Sequence, residues 1–299
     1  MHRKPDFFIV GGVKCGTSSL HAYLRAHPDI FMPDRKELQY FGTDVVAPPM
    51  ITESEYSSYF ESARDELRVG ETSAWCLFST RAPSEIYNFN PNAQILIMLR
   101  NPVDMLFSLH NELIRQGYEE IYDFEQALDA ESLRRRGAAV PSTVSIHKIL
   151  FYSEYTQYAQ QIERYTNLFG PKKVLILYLE NLKENPKLEY QRILQFLGVD
   201  TNFTPNFSVH NENAGIRSMK MVRLMRQVPK RLGWLYRPIL THQQGYKIKD
   251  FISSHNRQSK VDYQLDQALR ERLENDLGPG VEKVLKIVGY IPGNWPNIG

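Results

Sequence analysis

The sequence predicts an α/β fold: a P-loop-like central parallel sheet flanked by helices, with a helical C-terminal part. Three observations carry this. Short, near-continuous apolar runs such as "QILIML" and "KVLILYL" fit strands buried on both faces. Segments of helical period alternate with them. A glycine-spaced loop joins the first apolar run to the first helical segment. With 299 residues, 42% hydrophobic and 23% charged, the chain can bury a full core. No linker, repeat or low-complexity run marks a boundary, so a single domain over 1–299 is expected.

The elements follow in order. Phe7 to Gly11 reads as a buried strand and Thr17 to Ala26 as the helix after the loop. Arg68 to Glu71 is a second strand, with a helix from about Pro83 to Phe89. Gln94 to Leu99 is a third strand, and Asn101 before Pro102 opens a helix over Val103 to Gln116, since proline suits the first helical position. A long helix is expected near Ile146 to Phe169, then a strand over Lys173 to Leu179. Beyond it Pro186 to Leu197 and Gln264 to Val288 are the strongest helical segments. In such folds ligands gather at the carboxyl ends of the strands.

A net charge of +2 excludes a generally basic, nucleic-acid-coating protein, and no nucleic-acid partner is expected. Two cysteines, Cys15 and Cys76, give no disulfide framework and suit a reducing compartment. The start lacks the apolar region of a signal peptide and no run approaches ~18 apolar residues, so a soluble, cytoplasmic protein is expected. No His/Cys/Asp cluster has metal-ligand spacing, "HNE" around His210 being too local, so no metal is expected.

In "FFIVGGVKCGTSSLHAYL" the spacing from Gly11 to Gly16 is that of a nucleotide triphosphatase loop, but Thr17 and Ser18 stand where Lys-Ser/Thr should follow. The lysine is Lys14, two residues before the second glycine. Small residues let backbone N–H groups approach an anion, and the helix start adds positive potential. Cys15 reads as packing. In "LRNPVDMLFSLHNELI", Arg100 closes a strand and can grip a phosphate through paired hydrogen bonds, with Ser108 adding a hydroxyl. The alternative is a surface Arg100 paired with Asp104.

Together, "VGGVKCGTSSLHAYLRAHPDI", "KELQYF", "RNPVDMLFS" and "YAQQIERYTNLFGPKKVLILYLENLKENPKLEYQRILQFLGVD" resemble the sulfotransferases that use 3′-phosphoadenosine 5′-phosphosulfate, in consistent order from Asp6 to Asp200. The glutamate of "KELQYF" is more similar to the carbohydrate, heparan-sulfate-type enzymes than to the cytosolic phenol and steroid enzymes, which use a histidine. The resemblance implies that Lys14 reaches the oxygen bridging phosphorus and sulfur, while Cys15, Gly16, Thr17 and Ser18 hold the 5′-phosphate. It implies Arg100 and Ser108 as 3′-phosphate ligands and places Arg217, in "HNENAGIRS", in a loop closing over the nucleotide. Tyr158 matches a tyrosine that recurs in related enzymes, with packing as the alternative.

The resemblance places "KELQYF" beside the acceptor, which makes Glu37 the expected general base for an acceptor hydroxyl, with Lys36 next to it and a solvated loop glutamate as the alternative. His110 is the rival base, although helical spacing turns it about 200° from Ser108. Thr72 stands where the family often has lysine, and Ser73 and Trp75 are substrate candidates. Between Gly215 and Tyr246, seven Lys or Arg and no Asp or Glu suggest a lid, an anionic-lipid surface or a packed helix with a solvated basic face. The expected activity is sulfuryl transfer to a hydroxyl, on a saccharide or glycosylated metabolite. The alternatives are a P-loop small-molecule kinase and a non-catalytic nucleotide- or lipid-surface-binding protein.

Overall fold

A parallel five-stranded sheet forms the centre, its strands being β1 (Phe7–Ile9), β2 (Ile30–Phe31), β3 (Arg68–Thr72), β4 (Gln94–Leu99) and β5 (Val174–Tyr178). The computed structural model describes residues 3–46, 50–207 and 264–296, with the backbone of 215–216 and 257–258. The strand order is β2-β3-β1-β4-β5. The chain therefore leaves β1 toward β3 and returns on its other side as β4, so the order reverses at β1. In sheets of this kind the point of reversal is where ligands bind, at the carboxyl ends of the strands. Phe7 pairs with Gly70 of β3 and with Gln94 of β4, and β4 pairs with β5 from Ile95 opposite Val174 to Leu99 opposite Tyr178.

Because helices flank the sheet, β1 and all of β4 after Gln94 are apolar: Phe7, Ile9 and the run Ile95 to Leu99 have essentially no exposed surface. The helices at Thr17–Arg25, Ala82–Phe89, Pro102–Gln116 and Pro186–Leu197 lie within a residue of their expected bounds. The long helix expected over Ile146 to Phe169 is divided into a 3₁₀ turn at His147–Leu150, a short helix at Tyr152–Tyr155 and a longer one at Tyr158–Phe169. Side chains explain the second break. Thr156 Oγ1 donates to Ser153 O at 2.9 Å and Gln161 Nε2 to Glu154 O at 2.9 Å, taking carbonyls that the helical ladder would otherwise use.

Two compact units divide the chain. The first, Met1–Leu106, Ser153–His210 and Gln267–Gly299, holds the sheet. The second comprises Phe107–Tyr152 and Asn211–Asp266. Its described core is built on Glu119, whose carboxylate receives Arg134 Nη2 at 2.8 Å and Tyr152 Oη at 2.9 Å. It also contains an antiparallel pair, Gly215–Ile216 with Arg257–Gln258. Among the described residues no helix is long and apolar enough to cross a membrane.

Candidate functional site

The loop after β1 is shaped by its glycines. Strand pairing continues past β1, with Val10 N–H donating to Leu96 O at 2.9 Å and Gly12 N–H to Met98 O at 2.8 Å. A Cβ on Gly11 would lie 2.6 Å from Met98 Cβ, so only glycine lets the chain pass so close to β4. Gly16 has φ 86° and a Cβ there would meet Leu179 Cδ1 at 2.6 Å. It precedes the helix Thr17–Arg25, which receives no side-chain cap. A helix start without a side-chain cap, beside small residues, suits an anion. Lys14 is half-buried, with φ 63°. Burial pushes the Cys15 thiol up to about 12, so it stays protonated and serves as packing. Thr17 is buried and Ser18 half-buried.

Glu37 lies at the neighbouring strand end. Its N–H donates to Thr72 O at 2.7 Å, and both carboxylate oxygens accept Ala74 N–H at 3.2 Å. Lys36 Nζ pairs with Oε1 at 2.9 Å. This loop also bends through left-handed backbone, with φ 56° at Glu37 and 63° at Gln39. Among the described residues the non-glycine positions with positive φ are Lys14, Glu37, Gln39 and Ala139. Two of the four are thus the expected catalytic pair, and such backbone costs of order 1–3 kcal/mol unless its surroundings enforce it.

The turn after β3 binds these pieces together. Ser73 N–H donates to Ile9 O at 3.1 Å, tying the turn to β1, while Ser73 Oγ donates to Glu71 Oε1 at 2.5 Å. Glu71 is 2% exposed, and burial first, with the Glu37 charge adding to it, raises its carboxyl to about 7. Thr72 is buried and bonded to His21 Nδ1 at 2.9 Å. His21 Nε2 lies 3.1 Å from Pro33 O. A carbonyl only accepts, so Nε2 carries the hydrogen and Nδ1 accepts from the Thr72 hydroxyl. Burial, with Lys36 nearby, lowers His21 to about 4, which keeps this neutral tautomer. Trp75 packs edge-on against Phe78 and Tyr155.

Arg100 joins the β4 end to the glycine loop, Nη1 donating to Lys14 O at 3.3 Å. Its carbonyl accepts Tyr158 Oη at 3.0 Å, which gives Tyr158 a place in the turn. Asp104 pairs with Arg270 at 2.6 Å, so the acidic neighbour expected as an alternative partner for Arg100 is engaged from the C-terminal helix Gln267–Val288. Asn101 N–H donates to Glu180 Oε1 at 2.8 Å and Asn101 Nδ2 to Asn294 O at 2.6 Å. Arg100, Asp104, Glu180, Tyr290 and Asn294 line a cleft of about 480 Å³.

Ser108 and His110 belong to the second unit, where both are buried. His110 Nε2 bonds to Ile121 O at 2.9 Å, its ring packs against Phe124 and Tyr152, and burial lowers its pKa. Arg217, His210 and the basic stretch 215–246, apart from the backbone of 215–216, lie outside the described residues. Among the described residues no group of three or more His, Cys, Asp or Glu could hold a metal ion.

Sequence reasoning passed over Glu71 and His21. For Glu71 a signal existed: a carboxylate at the carboxyl end of a strand, two residues before a serine. His21 offered none, being one more residue on a helix face.

A family model described as a sulfotransferase domain matches residues 4–254. Carbohydrate sulfotransferase 15 of Homo sapiens is 25% identical over 248 residues, covering 65% of this chain and 44% of that protein. Bifunctional heparan sulfate N-deacetylase/N-sulfotransferase 4 of Mus musculus is 25% identical over 223 residues, covering 67% and 23%. The chain thus spans less than half the length of these curated relatives. The crystal structure of a sulfotransferase from Alicyclobacillus acidocaldarius superposes with a TM-score of 0.72 at 28% identity, over 99% of this chain and 100% of the other.

Proposed function

Because this chain belongs to the sulfotransferase domain family, we propose that it transfers a sulfuryl group from 3′-phosphoadenosine 5′-phosphosulfate to a hydroxyl of a saccharide or glycosylated metabolite, with Glu37 as general base and without a metal. The observation that carries this reading is the shared backbone conformation of Lys14 and Glu37. Both are held in left-handed backbone at the carboxyl ends of the adjacent strands β1 and β3. The loop Gly11 to Ser18 suits the donor's 5′-phosphate, since its glycines bring backbone close and its helix start is without a side-chain cap.

In the reaction the acceptor oxygen forms a bond to sulfur as its proton passes to a Glu37 carboxylate oxygen. The bond between sulfur and the bridging oxygen breaks, and its electron pair stays on the 5′-phosphate of adenosine 3′,5′-bisphosphate. Lys14 meets the charge that grows on that oxygen, so its contribution appears mainly in the transition state. Arg100 meets charge already present on the donor. Lys36, Ser73 and Trp75 border the acceptor side. Names of relatives that include carbohydrate and heparan sulfate support a saccharide acceptor.

A P-loop kinase would carry lysine after Gly16, where this chain has Thr17, and that position favours sulfuryl over phosphoryl transfer. Incubation with the donor and a panel of glycans and glycosylated small molecules, read by mass spectrometry, should show an added sulfate. Adenosine 3′,5′-bisphosphate should raise the melting temperature without magnesium. Equal or greater stabilisation by magnesium-ATP would put the kinase ahead.

A further inference from the structure

Beside the expected base lies a second carboxyl that this reaction scheme leaves unused. Glu71, the last residue but one of β3, is 2% exposed and is held by Ser73 Oγ at 2.5 Å and Tyr56 Oη at 3.5 Å. Neither partner carries a positive charge. The next residue after Ser73, Ala74, gives its N–H to both oxygens of Glu37. One short turn therefore holds two glutamates, one through a serine hydroxyl and the other through a backbone amide.

We propose that Glu71 is the positioning residue for Glu37: through Ser73 it fixes the Ser73–Ala74 turn that presents the Glu37 carboxylate, and its ionisation shuts sulfuryl transfer down. This rests on the reading of Glu37 as the base. The physical reason is charge. An ionised Glu71 would put a second, buried negative charge beside the Glu37 carboxylate.

The surroundings of Glu71 leave few other groups to blame for a titration. Tyr56 from the helix Glu53–Ser58, Cys76 from Trp75–Phe78 and Tyr165 from Tyr158–Phe169 all have electrostatic contact with Glu71. Burial pushes all three well above their usual values, so they remain neutral near pH 7. The loop before β3 supplies Glu37, whose charge raises Glu71, and Lys36, which is paired to Glu37. Raised to about 7, Glu71 changes charge in the working range of an enzyme.

The test uses the full chain labelled with carbon-13 at glutamate carboxyls. Its Glu71 resonance is identified by its loss in Glu71→Gln, a substitution that keeps an oxygen for Ser73. In the parent this resonance should titrate near pH 7, and in Glu37→Gln its midpoint should move to lower pH. In single-turnover transfer with saturating donor, parent activity should fall about tenfold per pH unit above that midpoint, whereas Glu71→Gln should stay flat. Ser73→Ala should lower transfer at every pH while leaving affinity for adenosine 3′,5′-bisphosphate unchanged. An unmoved Glu71 midpoint in Glu37→Gln, or parallel pH profiles in parent and Glu71→Gln, overturns the inference. Loss of sulfuryl transfer in the parent, with the midpoint shift intact, would instead overturn the proposed function.

Discussion

Glu71 and Glu119 are both buried, at 2% and 1% exposure, yet the two regions treat the charge in opposite ways. In the second unit Glu119 Oε1 accepts Arg134 Nη2 at 2.8 Å together with the N–H groups of Glu120 and Ile121, and Oε2 accepts Tyr152 Oη. Arg134 Nε and Nη1 donate to Ala139 O and Ala127 O. That network is closed: opposite charge, amides and a hydroxyl satisfy the carboxylate. At the strand ends Glu71 has two hydroxyls and a neighbouring carboxylate. The first arrangement is architecture, whereas a buried acid without a counter-charge marks a candidate functional group.

The comparison breaks hardest at Glu37. Glu37→Gln keeps the contact with Ala74 N–H but loses basicity, so single-turnover transfer should drop by roughly 10²- to 10⁴-fold with donor affinity nearly unchanged. His110→Asn, buried in the second unit, should cost far less if Glu37 is the base. Parent-rate transfer by Glu37→Gln beside an inactive His110→Asn would reverse the assignment.

Next comes the closed network. Arg134→Met strands the Glu119 charge and should lower unfolding free energy by about 3–5 kcal/mol, read by urea denaturation. Arg134→Met with Glu119→Leu should recover most of that loss. If the single variant is as stable as the parent, the two glutamates differ less than their partners suggest.

Glu71→Gln should do the opposite. A carboxyl whose folded value is raised binds its proton more tightly folded than unfolded, so its penalty is absent below the unfolded value of 4.5 and grows as pH rises to about 7. At about pH 8 the variant should exceed the parent by up to about 3 kcal/mol, the difference vanishing near pH 4. Equal stability across that range would show that Glu71 is ionised without penalty.

The smallest effect separates ground-state from transition-state charge. Arg100→Ala should weaken adenosine 3′,5′-bisphosphate by roughly 10- to 100-fold, as expected for a lost charged hydrogen bond. Lys14→Ala should change that affinity less and turnover more. Calorimetric titration of both variants checks this, and equal affinity losses would merge the two roles.

Much of the sheet was legible because central parallel strands leave a local mark. Gln94–Leu99 has the bounds its apolar run predicts, and β5 differs by one residue at each end from Lys173 to Leu179. The two-residue strand Ile30–Phe31 left no periodicity to read. The division of 146–169 depended on side chains competing for backbone carbonyls, which apolar spacing does not register. His110 was flagged by its residue type, while helical spacing already turned it away from Ser108.

By itself the sequence determined the α/β class, the glycine loop with its displaced lysine, and the residues that mark the family. Each is encoded within a few consecutive positions, where hydrophobic period and glycine spacing act directly on the backbone. Only the tertiary structure decided the left-handed backbone at Lys14 and Glu37, the neutral tautomer of His21 and the raised carboxyl of Glu71. Those properties come from groups far apart in the chain. Ala74 lies 37 residues from Glu37, and Thr72 lies 51 from His21. Desolvation and electrostatic interaction depend on such neighbours in space, so a residue's charge state is settled only when the fold closes around it.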